Sequence, residues 1–143
     1  MKILSLLFLT LLFGKGCQSQ NNPDLMTAKV EYTANSRGLY NKTVVENKTV
    51  SFTNRRDGKA VISSLTEEQW NALISEFQKV DLEEIPNLKA PTQKRFHDGA
   101  AMANLKITYK EKIYESQTFD HGFPPEKIKK IVNTVLSFSK KEE

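Results

Sequence analysis

The sequence predicts an α+β domain: an antiparallel β-sheet, made of a meander plus a C-terminal hairpin, with two helices packed on one face. Three observations point there. Short runs with alternating apolar residues, separated by turn signals, fill residues 26–64 and return at 101–119. A capped helical stripe begins at Thr66, and a second stripe follows Pro124-Pro125. The order strands, helix, hairpin, helix leaves each helix one apolar stripe to bury, and the face of the sheet is the surface that receives it. The chain has 143 residues, 38% hydrophobic and 27% charged, enough for one such domain.

Residues 1–16 have a different character. After Lys2, Ile3 to Phe13 is an apolar run, shorter than the ~20 residues a bilayer span requires and suited to the core of a secretory signal. Gly14-Lys15-Gly16 leads to Cys17, the only cysteine of the chain. A small residue before a lone cysteine at the end of such a run resembles the bacterial lipobox, which implies cleavage before Cys17 and a lipid on its thiol. Plain secretion, with Cys17 as a free thiol, is the alternative. An exported odd cysteine has no intramolecular disulfide partner, which favours lipidation. The expected organisation is therefore a signal peptide at 1–16, the lipidated Cys17 and a tether at 17–25, and a single domain at 26–143. Removing the signal takes Lys2 and Lys15 with it, so the net charge falls from +4 to +2. A charge that small makes no case for nucleic acid.

Within the domain, Met26 to Ala34 contains Val30-Glu31-Tyr32-Thr33, the first expected strand. Asn35 to Gly38 is a turn and Tyr40 to Val45 a strand, with a further turn expected at Glu46-Asn47. In Lys48 to Asn54, Val50 and Phe52 share one face. Arg55-Arg56-Asp57-Gly58 is a hairpin signal, because Asp-Gly suits the positive φ of a tight turn, and Lys59 to Ser64 completes the meander. Thr66-Glu67-Glu68-Gln69 is a capping box. Trp70, Leu73, Ile74 and Phe77 follow as one helical stripe ending near Val80, with Leu82 and Ile85 packing after it. Pro86 to Pro91 is expected as loop. Leu105, Ile107 and Tyr109 alternate before a turn at Lys110-Glu111, and Lys112 to Phe119 returns. The last helix buries Ile128, Ile131, Val132, Val135 and Leu136. Its lysines, Lys127, Lys129, Lys130, Lys140 and Lys141, lie on its outside or at its end and are expected as a solvated face, with contact to a membrane surface as the alternative.

The stretch from Arg95 to His121 carries the candidate site. A two-residue turn at Lys110-Glu111 sets Ala101 opposite Asp120, Ala100 opposite His121 and Gly99 opposite Gly122. Both histidines of the chain, each next to an aspartate, then fall at the open end of one hairpin as His97-Asp98 and Asp120-His121. Slipping the register by one residue turns the side chains to the other face but keeps the clusters together. Arginine usage adds Arg95 and Arg37. Against 17 lysines there are four arginines, all in expected turns or loops, and arginine is the residue whose planar fork grips carboxylate or phosphate at two points.

Three roles fit the cluster. Asp98, Asp120 and Arg95 tie down loop backbone, with the histidines as hydrogen-bonding turn residues. Alternatively, Arg37, Arg95, His97, Asp98, Asp120 and His121 receive a protein, peptide or anionic ligand. In the third, His97 and His121 act as metal ligands or base and the aspartates orient them, making a small metal-binding or hydrolytic protein. The sequence contains no HExxH or HxH spacing, no nucleophile-elbow serine and no glycine-rich phosphate loop. The expectation is accordingly a non-enzymatic binding module with no catalytic residue, no metal and no cofactor, held at the cell envelope.

Ser36-Arg37-Gly38, Arg55-Arg56-Asp57-Gly58, Leu65-Thr66-x-x-Gln69-Trp70, Lys89-Ala90-Pro91-Thr92, Arg95 to Ala101 and Phe119 to Pro125 are the segments that carry a family resemblance. With Cys17 in place, the chain resembles small uncharacterised lipoproteins of the Bacteroidetes, of the flavobacterial type, over most of residues 27–139. The resemblance implies an outer-membrane lipid anchor, with periplasmic or secreted protein as the alternative, and implies no particular activity.

Overall fold

Strand β1 (Lys29–Asn35) is the centre of the sheet. The computed structural model describes residues 26–139; the expected signal, Cys17 and the tether lie outside them, as do Lys140 and Lys141. Val30, Tyr32 and Ala34 of β1 are buried on one face, as a period of two dictates. Strands β2 (Tyr40–Glu46), β3 (Thr49–Thr53) and β4 (Val61–Ser64) extend the sheet as a meander on one side. Strand β5 (Met102–Tyr109) pairs antiparallel with the other side of β1, and β6 (Lys112–Glu115) and β7 (Phe119–Asp120) pair in turn along β5. The spatial order is β4-β3-β2-β1-β5-β6. Two of the hairpin turns are two residues long with positive φ at both positions, at Asn47-Lys48 and Lys110-Glu111. That geometry matches the twist of the strands it joins. The first lies one residue later than expected, and the second is where the sequence places it.

Helix α1 (Glu67–Lys79) starts at the expected capping box: Thr66 Oγ1 accepts from the Gln69 amide at 3.1 Å, and Gln69 Oε1 accepts from the Thr66 amide at 2.9 Å. Trp70, Leu73 and Phe77 are buried with Ala28, Val30 and Val45. Helix α2 (Lys129–Ser137) follows a 3-10 turn at Glu126–Ile128, buries Ile131, Val132 and Val135, and packs on α1 as well as on β1 and β2. Leu136 is only half-buried. Both helices cover the same face, which is the α+β architecture expected. None of the helices among the described residues is long and apolar enough to cross a membrane.

The opposite face of the sheet is polar. There the buried carboxylate of Glu31 is ringed by Lys106, Lys42 and Lys29 at 3.2, 3.5 and 3.7 Å. The connection from α1 to β5, expected as loop, holds two 3-10 turns, Leu82–Asn87 and Lys94–His97. Asp81 caps the first by accepting from the Glu83 amide at 3.1 Å, and Ile85 anchors it in the core. Strand β4 begins two residues later than expected, since Lys59 and Ala60 remain in the loop.

Candidate functional site: an arginine-lined groove at the loop end of the sheet

The site is positioned by a one-residue slip in the C-terminal hairpin. Next to the turn, pairing follows the expected register, from Tyr109↔Lys112 to Lys106↔Glu115. Beyond it the ladder shifts, so that Ala103 faces Phe119 and Met102 faces Asp120. The expected pairs Ala101 with Asp120 and Ala100 with His121 therefore do not form; Ala101 instead accepts from the His121 amide at 2.9 Å. The cause is one extra residue in Ser116-Gln117-Thr118. Ser116 Oγ accepts from the Leu105 amide at 3.0 Å where the ladder breaks, and Asn104 Nδ2 donates to Ser116 O at 3.2 Å. This is a β-bulge, and it exchanges faces downstream. Phe119 turns into the core with no exposed surface, Asp120 faces away from it, and His121 turns back toward Tyr32.

Asp120 is fully buried and accepts four hydrogen bonds. Oδ2 takes the Thr92 hydroxyl at 2.5 Å and the Lys94 amide at 2.6 Å. Oδ1 takes the Arg95 amide and the Arg95 Nη1, both at 3.0 Å. Burial pushes the carboxyl up, but these donors outweigh it and hold Asp120 well below the usual carboxylate range. Arg95 Nη1 also donates to Thr92 O at 2.9 Å, so the guanidinium closes the loop over the carboxylate. Asp120, rather than Asp98, is the ion-pair partner of Arg95. Its place is that of a latch, with both oxygens occupied.

His121 Nδ1 lies 2.8 Å from the hydroxyl of Tyr32, whose ring it meets at 5.9 Å. Burial raises the Tyr32 phenol far above its ordinary value, so the phenol keeps its proton, and it donates to Nδ1 in the tautomer of His121 that carries its own proton on Nε2. Burial likewise pushes His121 down, favouring the neutral ring. A depressed value gives a stabilising contribution that is present above the unfolded histidine pKa of ~6.5 and lost as pH falls below it. The thermal midpoint is expected to drop between about pH 7.5 and 5.5, and His121→Gln to flatten that drop. An unchanged slope in the variant would assign the transition to other groups. Asp120 acts in the same direction at lower pH: its contribution is present above the unfolded carboxyl value near 4 and fades below it.

His97 and Asp98 end the Lys94–His97 turn. Asp98 adopts the left-handed conformation at φ 56°, and both side chains are exposed without a hydrogen bond or ion pair to any described residue. Both His/Asp pairs reach the same end of the sheet, but the bulge gives them different surroundings. Among the described residues no three His, Cys, Asp or Glu side chains gather closely enough to hold a metal ion.

What does converge is arginine. The turn between β1 and β2, the loop after β3 and the loop before β5 meet in a groove of about 450 Å³ lined by Asn35, Ser36, Arg37, Arg56, Arg95 and Asp98. An adjoining depression of about 370 Å³ shares Ser36, Arg37, Asp98 and Ala100 and is also lined by Gly38 and Gly99. Two of the guanidinium groups are held in place. Arg56 Nη2 donates to Ser36 O at 3.1 Å and Asn35 Oδ1 at 3.3 Å, and Arg95 is clamped by Asp120. Arg37 makes no hydrogen bond or ion pair to any described residue and is exposed. Two fixed guanidinium groups lining one groove with Arg37, which has no partner among the described residues, suit a carboxylate or phosphate, since arginine offers paired donors and pre-positioning lowers the ordering cost of binding. Arg56 is the lining residue that sequence reasoning did not single out. The available signal was the confinement of arginine to turns.

A seven-stranded antiparallel sheet backed by two helices, with three arginines meeting at its loop end, defines a small α+β domain with a cationic surface groove. No protein-family model, curated protein or solved structure matches the chain.

Proposed function

We propose that the protein is an exported, lipid-anchored envelope protein whose domain is a non-catalytic binding module, and that its groove receives an anionic ligand bearing carboxylate or phosphate groups. The observation that carries this reading is the convergence of Arg37, Arg56 and Arg95 on one groove. The occupied state of Asp120 favours binding over catalysis, because both of its oxygens already accept hydrogen bonds and the carboxylate is not left free as a general base. The anchor rests on the apolar run before Gly16-Cys17 and on the absence of any second cysteine in the chain.

Two measurements test the two halves. Mass spectrometry of the protein recovered from membranes is expected to find Cys17 as the mature N-terminus, carrying diacylglycerol. An unmodified Cys17, or cleavage elsewhere, would sink the anchor. For the groove, NMR titration of the full chain with citrate and with inorganic phosphate is expected to shift the amides of Ser36 to Leu39 and Asp98 to Ala101. Shifts spread over the lysine-rich α2 face instead would replace a built site with diffuse charge attraction.

A further inference from the structure

The two edges of the sheet are treated differently. Along β6 the chain covers its own edge: the Leu82–Asn87 turn lies beside it, Lys112 Nζ reaches Glu83 at 2.8 Å, and Gln117 Nε2 donates to Pro86 O at 3.2 Å. Along β4 no described residue covers the outer side. Val61 is 53% and Ile62 68% exposed, large values for β-branched residues inside a strand. An uncovered edge with exposed apolar side chains is a template for another strand.

The ladder says which backbone groups are on offer. Leu65 donates its amide to Lys48 O at 2.7 Å, continuing the register in which Ser64 faces Thr49. Bonded and non-bonded pairs alternate in an antiparallel ladder, so Val61, Ser63 and Leu65 bond to β3 while Ile62 and Ser64 turn N–H and C=O outward.

We propose that β4 is a self-association edge on which a second copy of this chain pairs antiparallel, about a two-fold axis through Ser63. In that register Ile62 of each copy exchanges backbone hydrogen bonds with Ser64 of the other, so every outward group of β4 finds a partner. The interface is isologous, as a two-fold requires. The charges flanking β4 select this occupant. The N-terminal side carries Arg55 and Lys59, neither in an ion pair with a described residue, and the C-terminal side leads into the acidic first turn of α1, Glu67 and Glu68. Antiparallel pairing of two copies brings Lys59 of each beside Glu67 of the other, whose side chain is 75% exposed and, among the described residues, bound only by Lys48. The result is one sheet running through both copies, with the two arginine grooves at opposite ends.

The test uses the full chain bearing Cys17→Ser, in non-ionic detergent, so that neither lipid nor a native disulfide links two copies. Sedimentation from ~10 µM to ~1 mM, the range of weak association, is expected to show a monomer–dimer equilibrium. Ile62→Pro removes one outward N–H and no bond to β3, and is expected to weaken the dimer by about tenfold or more. Ser63→Cys on the same background is expected to trap the dimer as a disulfide under mild oxidation, because opposed non-bonded residues lie ~4.5 Å apart at Cα. Lys59→Glu and Glu67→Lys should each weaken association, and together restore it. A protein monomeric at ~1 mM leaves β4 to a strand from another protein and overturns the proposal. A dimer that neither responds to Ile62→Pro nor is trapped through Ser63→Cys overturns it as well.

Discussion

Asp120→Ala is expected to lower the unfolding free energy by about 3–5 kcal/mol, the range for removing one partner of a buried charge pair. The loss goes beyond the ion pair. The amides of Lys94 and Arg95, the Thr92 hydroxyl and Arg95 Nη1 all lose their acceptor at once, in a place where the carboxylate is fully buried. For a domain of this size the thermal midpoint should fall on the order of 15 °C, measured by circular dichroism. Asp120→Asn should restore little, because its amide NH2 meets amide donors with another donor. A fall of a degree or two would mean that water replaces the carboxylate readily, and the latch would lose its importance. Groove function should fall with stability, since the same carboxylate positions Arg95.

The second large effect separates binding from folding. Arg37→Glu is expected to reduce affinity for citrate by about 10–100-fold, the weight of one or two charge-assisted hydrogen bonds plus a reversed charge. Stability should stay within about 0.5 kcal/mol of wild type, since Arg37 contacts no described residue by hydrogen bond or ion pair. Arg55→Glu is the matched control, because it reverses the same charge and Arg55 shares a loop with Arg56 but does not line the groove. Equal losses from Arg37→Glu and Arg55→Glu, read by calorimetry, would place the anion outside the groove. Arg56→Ala is the less clean variant: it also removes the bonds to Asn35 and Ser36 that shape the β1–β2 turn.

The elements legible in the sequence are those specified by local periodicity. Trp70, Leu73 and Phe77 mark a helix face, and Thr66 with Gln69 marks its start, because both signals lie within a few residues. The spacing of the flanking strands marks the Lys110-Glu111 turn although it contains no glycine, with φ of 49° and 64°. The bulge was not legible. Ser116-Gln117-Thr118 reads as continuing strand, and what accommodates the extra residue is Asn104 on the neighbouring strand together with the Ser116 hydroxyl at the Leu105 amide. The candidate site inherits that difference. The meeting of the two His/Asp pairs at one end follows from the hairpin. The burial of Asp120 and the Tyr32 bond of His121 follow from the slip. Arg55 and Arg56 are neighbours in sequence, and only the loop path decides which of them enters the groove.

The central position of β1 has a consequence for when the domain can form. Its first neighbour, β2, follows after one short turn, whereas its second, β5, arrives only after β3, β4, α1 and both 3-10 turns. Until then Val30, Tyr32 and Ala34 have one side of their strand unpaired, and the meander alone lacks Phe119 and the α2 stripe that close the core. Pairings between distant parts of the chain slow folding, because loop closure must precede the contacts that reward it. Native structure should therefore appear late and all at once, after nearly the whole chain is available. That timing is compatible with the export proposed above, in which the chain would cross a membrane before its tertiary structure is complete.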